Sequence, residues 1–339
     1  MTRRALITGI AGQDGSYLAE LLVGKGYEVF GLLGPDPGGF HEWTAGLGDM
    51  VRGLDGDLTD MGSLLAAVEE SRPEEVYNLA AMSFVGGSWE RAVLTSDVNA
   101  TGTVRLLEAV RELAPQARLF QASSGEVFGN SRAPQSETTR MHPRSPYGVT
   151  KAFSYFMAQN YRESYGMHAS NGIMFNHESP RRPPIFVTRK ITEAAARIKL
   201  GMADELRLGN LDAQRDWGFA GDYVEAMWLM LQREEPGDYV VASGETHTVR
   251  DFCAAAFGRL ELDYEAYVVV DPSFFRVAEI NILQGNASKA RRELGWEPKV
   301  RFEELVAMMV DADMERLTEE PLRGDARGRQ GSGRAAEGA

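Results

Sequence analysis

Residues 5–8, ALIT, form a short apolar run that ends at Gly9, and Gly12 and Gly15 follow at G-x-x-G-x-x-G spacing. The next stretch, SYLAELLVGKG, places Tyr17, Leu18, Leu21 and Leu22 at helical spacing. The segment therefore reads as strand, tight turn, helix. Glycines let a backbone approach a pyrophosphate closely, and a helix N-terminus presents unpaired N–H groups to an anion. Such a unit works inside a parallel sheet, and the chain keeps its rhythm. Strands are expected at 27–33, near 51–58, at 74–82 and at 117–124, with helices at 61–73 and 99–113. That alternation predicts an α/β fold built on a doubly wound parallel sheet, with a ligand beyond the carboxyl ends of the strands.

SPYGVTK, residues 145–151, lies where that edge needs a reactive group. If the segment is helical from Pro146, Tyr147 and Lys151 stack one turn apart on one face. A nearby ammonium favours the phenolate, so the pair is expected to make Tyr147 a base near neutral pH. The plain alternative is a helix start with an ordinary tyrosine and a solvated lysine. Glu126, just past the strand ending at Ser123 and Ser124, belongs to the same edge.

Composition narrows the function. A net charge of −13 argues against a nucleic-acid surface. A single cysteine, Cys253, allows no internal disulfide and no cysteine-based metal site, and no histidine pair has H-x-x-x-H spacing. No metal is expected. MTRRALITGI reads as neither a signal peptide nor a membrane span, so a cytoplasmic location is the default. Beyond about residue 176 the alternation loosens, which predicts a smaller lobe over 176–318, interleaved with the dinucleotide-binding unit of 1–175. The Gly- and Arg-rich tail, 319–339, is expected to be disordered. Val224, Met227, Trp228 and Leu231 share one helical face and read as core.

The blocks ALITGIAGQDGSYLAELL, DGDLTD, PRSPYGVTKA, NGIMFNHESPRR, RDWGFAGDYVEAMW and LGWEPKVRFEELV occur in this order over nearly all of the first 318 residues. They resemble the GDP-mannose 4,6-dehydratase family, extended short-chain dehydrogenases/reductases with a Rossmann fold that act on nucleotide sugars. The resemblance implies C4 oxidation, loss of water across C5 and C6, and hydride return to C6, giving a 4-keto-6-deoxy sugar. It implies that Tyr147 takes the O4 proton, Ser124 holds O4, Glu126 serves C5 and O6, and Lys151 supports the phenolate and the nicotinamide ribose. It places the cofactor against Gly9, Gly12, Gln13, Asp14, Gly15, Asp57, Leu58, Leu79, Ala80, Ala81, Tyr147 and Lys151. It places the GDP-linked substrate against Asn176, Val187, Lys190, Arg215, Arg276 and Glu279. It also implies NADP and a homodimer or homotetramer; the superfamily commonly pairs through two helices per subunit.

The chain departs from the family pattern in places. LLGPDPGGF, residues 32–40, lacks the arginine pair that reads a 2′-phosphate, which leaves NAD open and puts the tetramer in question. Gly125 is expected to remove a side chain beside the sugar. Phe84 and Phe219 stand where polar rings are expected, and Pro183 and Pro184 stiffen the loop after Arg182. Together they predict an altered sugar pocket. A 4-epimerase or uronate decarboxylase would begin with the same C4 oxidation, so those activities remain alternatives. A non-catalytic nucleotide-binding protein is the remote one.

Overall fold

The computed structural model describes residues 2–34, 48–275 and 278–331. Its frame is a seven-stranded sheet. In chain order its strands are β1 (Arg4–Thr8), β2 (Glu28–Leu33), β3 (Val51–Asp55), β4 (Glu75–Asn78), β5 (Arg118–Ser124) and β6 (Ala169–Met174), with one that returns later. Short strands follow: β7 (Asn176–Glu178), β8 (Leu206–Leu208), β9 (Gln214–Arg215) and β10 (Trp217–Phe219). Next come β11 (Asp238–Val241), β12 (His247–Thr248), β13 (Val268–Val270) and β14 (Ile282–Leu283). The large sheet runs β11-β6-β5-β4-β1-β2-β3, and every neighbouring pair is parallel.

Parallel strands covered on both faces should be apolar almost throughout. β4 and β6 are buried along their whole length. Successive side chains point to opposite faces. Leu6 thus packs with Leu64, Val68, Leu106 and Val110, while Ile7 packs with Leu18, Leu22, Val224 and Met227. The first group belongs to helices Met61–Ser71 and Gly102–Leu113, the second to Gln13–Gly24 and Ala220–Gln232. β1 has β2 on one side and β4 on the other, so strand order reverses there. The loops after β1 and β4 diverge at that reversal and leave a crevice at the strands' carboxyl ends.

A third core, around Ile191, Trp217, Phe252, Phe257, Leu305 and Met309, holds the smaller lobe together. β7 pairs with β10, and β9 lies between β12 and β14, above the crevice. β11 then rejoins the large sheet beside β6, so the lobe's chain passes back through the frame. The last helix runs Phe302–Gly331, past Glu319, where composition predicts disorder. No described helix is long and apolar enough to cross a membrane.

Candidate active site

β1 ends at Thr8, whose hydroxyl accepts from the amides of Leu79 (3.1 Å) and Ala80 (3.0 Å), tying the ends of β1 and β4 together. Gly9 adopts φ +74, and a Cβ there would come within 2.9 Å of the Ala80 backbone. A Cβ on Gly15 would come within 2.3 Å of the Gly9 carbonyl oxygen. Only glycine allows this close turn. Gly12 is the N-cap of Gln13–Gly24 and brings no side-chain cap, so the first N–H groups are left for an anion. This cradle fits a pyrophosphate, and Gly9, Gly12, Gln13, Asp14 and Gly15 all line one cavity of about 750 Å³, as do Leu79, Ala80 and Ala81. Asp57 and Leu58 are not among its lining residues. Thr59 engages Asp57 Oδ1 with both its amide (2.8 Å) and its hydroxyl (2.9 Å), and the Leu58 side chain is buried in the core. Both residues stand just past β3, which ends at Asp55.

The same cavity reaches Ser124, Glu126, Tyr147 and Lys151. The helix Pro146–Tyr165 starts where its sequence says it should. Ser145 accepts from the Gly148 amide at 3.0 Å, and Pro146 occupies the first turn, where its missing N–H is harmless. Tyr147 and Lys151 are both buried. Lys151 Nζ donates to the Ala122 carbonyl at 2.9 Å and lies 5.9 Å from the centre of the Tyr147 ring. Ser124, the last residue of β5, hydrogen-bonds the Tyr147 phenol and accepts from the Glu126 amide at 3.2 Å. Glu126 is buried in the short turn Gly125–Phe128.

The electrostatics bear on the tyrosine–lysine pair. Burial pushes Tyr147 up to about 12, and the Glu126 charge adds to it; the Ser124 hydrogen bond and Arg182 pull the other way without prevailing. Lys151 is itself lowered to about 8 by burial. An ammonium committed to a carbonyl at this depth does not offset the desolvation of a phenolate. The tyrosine–lysine pair alone therefore leaves Tyr147 protonated at neutral pH.

The substrate half is built from the smaller lobe. Asn176, Val187, Lys190, Arg215 and Glu279 line the same cavity. Arg215 is buried; its Nη1 donates to the Gln214 and Ile280 carbonyls at 2.9 Å each, and Nη2 lies 3.7 Å from Glu279 Oε1. Lys190 Nζ donates to the Arg207 carbonyl at 2.8 Å and sits 4.1 Å above the Phe274 ring, and burial lowers its pKa. Arg276 and the stretch 35–40 lie outside the described residues.

Two further cavity residues escaped the sequence reading, although the NHESPRR block carries both. His177 Nε2 faces Asp14 Oδ2 at 2.7 Å, and Nδ1 faces the Phe175 carbonyl at 2.7 Å. Both partners are acceptors, so the ring holds both protons. Burial opposes both charges, yet their attraction holds Asp14 at about 2 and keeps His177 raised. Arg182 lines the cavity with its Nε 3.0 Å from Glu178 Oε2 and its guanidinium 3.6 Å above the Phe186 ring. Phe84 also lines the cavity, edge-on to Phe186 with ring centres 6.1 Å apart. The other two expected pocket changes do not reach the cavity lining. A Cβ on Gly125 would meet the Phe175 ring at 3.2 Å, and Phe219 packs edge-on to Tyr17 (5.5 Å) above Gly221.

A sequence model of the GDP-mannose 4,6 dehydratase family matches residues 6–309. The chain is 53% identical over 340 residues to GDP-mannose 4,6 dehydratase 2 of Arabidopsis thaliana, covering 95% of this chain and 90% of that one. Among solved structures, it is similar to the DesIV dTDP-glucose 4,6-dehydratase of Streptomyces venezuelae with NAD and TYD bound. That match has TM-score 0.83 and 26% identity, over 94% and 99% of the two chains. The Thermus thermophilus UDP-glucose 4-epimerase complex with NAD matches with TM-score 0.82 and 30% identity, over 91% and 98%.

Proposed function

The chain belongs to the GDP-mannose 4,6-dehydratase family, and from that premise we propose that it converts GDP-mannose to the 4-keto-6-deoxy sugar. The observation that carries the reading is one cavity lined at once by the glycine cradle, by Ser124, Glu126, Tyr147 and Lys151, and by Arg215 and Glu279. Arginine suits phosphate oxygens, and Glu279 can accept from the guanine edge or a ribose hydroxyl. When bound, the nicotinamide cofactor supplies the hydride acceptor at C4, the donor at C6, and in its oxidised form a cation that favours the Tyr147 phenolate. Tyr147 then takes the O4 proton while Ser124 donates to O4. The C4 carbonyl acidifies C5; Glu126 removes that proton and hands one to the hydroxyl leaving C6. C5 and C6 thus lose one water between them.

We assign NADP as the cofactor, with NAD the alternative because 32–40 carries no arginine for a 2′-phosphate. We further assign a cytoplasmic homodimer or homotetramer. Epimerisation at C4 would share the first step, but it has no use for a carboxylate at Glu126. Incubation with GDP-mannose separates the two. A product lighter by one water is expected, and an isomer of unchanged mass would replace dehydration with epimerisation. Mass analysis of the nucleotide that copurifies distinguishes NADP from NAD.

A further inference from the structure

Asp313 sits in the helix Phe302–Gly331, beyond residue 309 where the family match ends, and it is fully buried. A buried carboxylate needs a partner, and its partner is Arg189. Arg189 Nε lies 3.0 and 2.9 Å from the two carboxylate oxygens, and Nη2 donates to Oδ1 at 2.6 Å. The Thr192 hydroxyl donates to Oδ2 at 2.7 Å, and Arg316 Nη2 lies 3.2 Å from Oδ1.

Arg189 is itself oddly placed. It is in the first turn of Val187–Lys199, where the helix dipole disfavours a cation. The rest of its guanidinium explains the position. Nη1 donates to the carbonyls of Pro180 and Arg182, the latter at 3.1 Å. One edge of the fork therefore holds a carboxylate and the other gathers two backbone carbonyls from a single loop. That loop presents Arg182, Pro183 and Pro184 to the catalytic cavity. Arg181 between the two carbonyls points away instead, donating to Glu20 at 2.6 Å and to Ser16 at 3.1 Å on the glycine-turn helix. An ion pair serving only to fasten the last helix would have no need of the two carbonyls.

We propose that Asp313 and Arg189 are positioning residues of the catalytic cavity, fixing the 180–182 loop and with it the wall formed by Arg182, Pro183 and Pro184. The pair acts through the loop and touches no reacting atom. Its consequence for turnover rests on the dehydratase reading; its consequence for the loop does not.

Arg189→Lys separates the roles. Lysine keeps the charge for Asp313 but lacks the planar fork that reaches both carbonyls. Trypsin can cut after Arg181, and peptide-resolved mass spectrometry follows that cut in the folded protein. Relative to wild type we expect cleavage there to rise about tenfold, as local opening becomes easier. We also expect KM for GDP-mannose to rise about tenfold with kcat changed less than about threefold, the pattern of a lost binding wall. Arg259→Gln, which removes the exposed pair that Arg259 of the helix Val249–Arg259 makes with Asp311 of the last helix, should leave both readouts at wild-type values. Should Arg189→Lys fail to fold, Thr192→Val removes only one donor to Asp313, and about a threefold rise in cleavage is expected. Wild-type cleavage after Arg181 in the folded variant overturns the proposal, as does equal acceleration in Arg259→Gln. If wild-type protein leaves GDP-mannose unchanged, the dehydratase reading fails while the cleavage comparison still decides the loop.

Discussion

Glu126 and Lys151 separate chemistry from burial most clearly at the scale of single residues. Glu126 is assigned both proton transfers of the elimination, whereas Tyr147 and Ser124 serve C4. Glu126→Gln should therefore stop water loss while C4 oxidation continues, seen as reduced-nicotinamide absorbance that rises on adding GDP-mannose and does not decay. A variant that releases the dehydrated sugar at wild-type rate removes Glu126 from that role. Lys151 carries a stability signature of its own. Its pKa is lowered from 10.5 to about 8 in the fold. Between those values the unfolded chain holds a proton that the folded chain does not, so wild-type stability rises with pH across that window. At about 1.4 kcal/mol per unit, the rise is about 3 kcal/mol. Lys151→Met lacks this titration. Its stability relative to wild type should be greatest below pH 8 and fall by about that amount on going to pH 10, measured by urea unfolding. Parallel pH profiles would mean that the lysine is not desolvated. The variant also leaves the Ala122 carbonyl without this donor, so its offset at neutral pH is the less informative quantity.

At the scale of elements, sequence was legible wherever local geometry and local chemistry coincide. The glycine turn needed no distant partner to be read, since Gly9, Gly12 and Gly15 answer to atoms within their own strand, turn and helix or the next strand end. The start of Pro146–Tyr165 was equally plain, because Ser145 and Pro146 are capping residues. What sequence could not supply is direction. Gly125 and Phe219 stand beside site residues in the chain, but the turn after β5 and the end of β10 send their positions toward Phe175 and Tyr17. Asp57 likewise turns Oδ1 to Thr59, two residues past the end of β3. His177 was missed for the converse reason: its partner Asp14 lies far away in the chain, and burial of the ion pair is invisible in composition. Two glycines of one helix test the reading of the turn. Gly15→Ala drives a Cβ to 2.3 Å from the Gly9 carbonyl, whereas Gly24→Ala meets nothing within 4 Å. Gly15→Ala should purify without nicotinamide nucleotide; Gly24→Ala should retain it and gain up to about 1 kcal/mol in thermal unfolding. Full cofactor content in Gly15→Ala would show that the turn relaxes around a methyl group.

At the scale of the whole molecule, the described residues include an apolar surface that a monomer does not account for. The helix Pro146–Tyr165 turns Tyr147, Lys151, Tyr155 and Ala158 inward, and its outer face leaves Val149 54%, Phe153 44% and Phe156 55% exposed. The short helix Ala92–Ser96 packs beside it and adds Val93 at 87% and Leu94 at 48%. Isolated apolar residues on a surface are ordinary, but five on two adjoining helices form a patch of the kind that marks an interface. A second copy of the chain is the occupant proposed above, and a symmetric pair would bring each helix against its own image. The arrangement would also brace the helix that carries the reactive tyrosine, since its inner and outer faces would both be packed. Replacing Phe153 and Phe156 by glutamate places two charges per subunit in that contact, where an unpaired buried carboxylate costs several kcal/mol. Wild-type protein should run at twice the chain mass or more in light scattering, and the double variant at the mass of one chain with an unchanged circular dichroism spectrum. A wild-type monomer, or a double variant that keeps the wild-type mass, would place the subunit contact elsewhere or remove it.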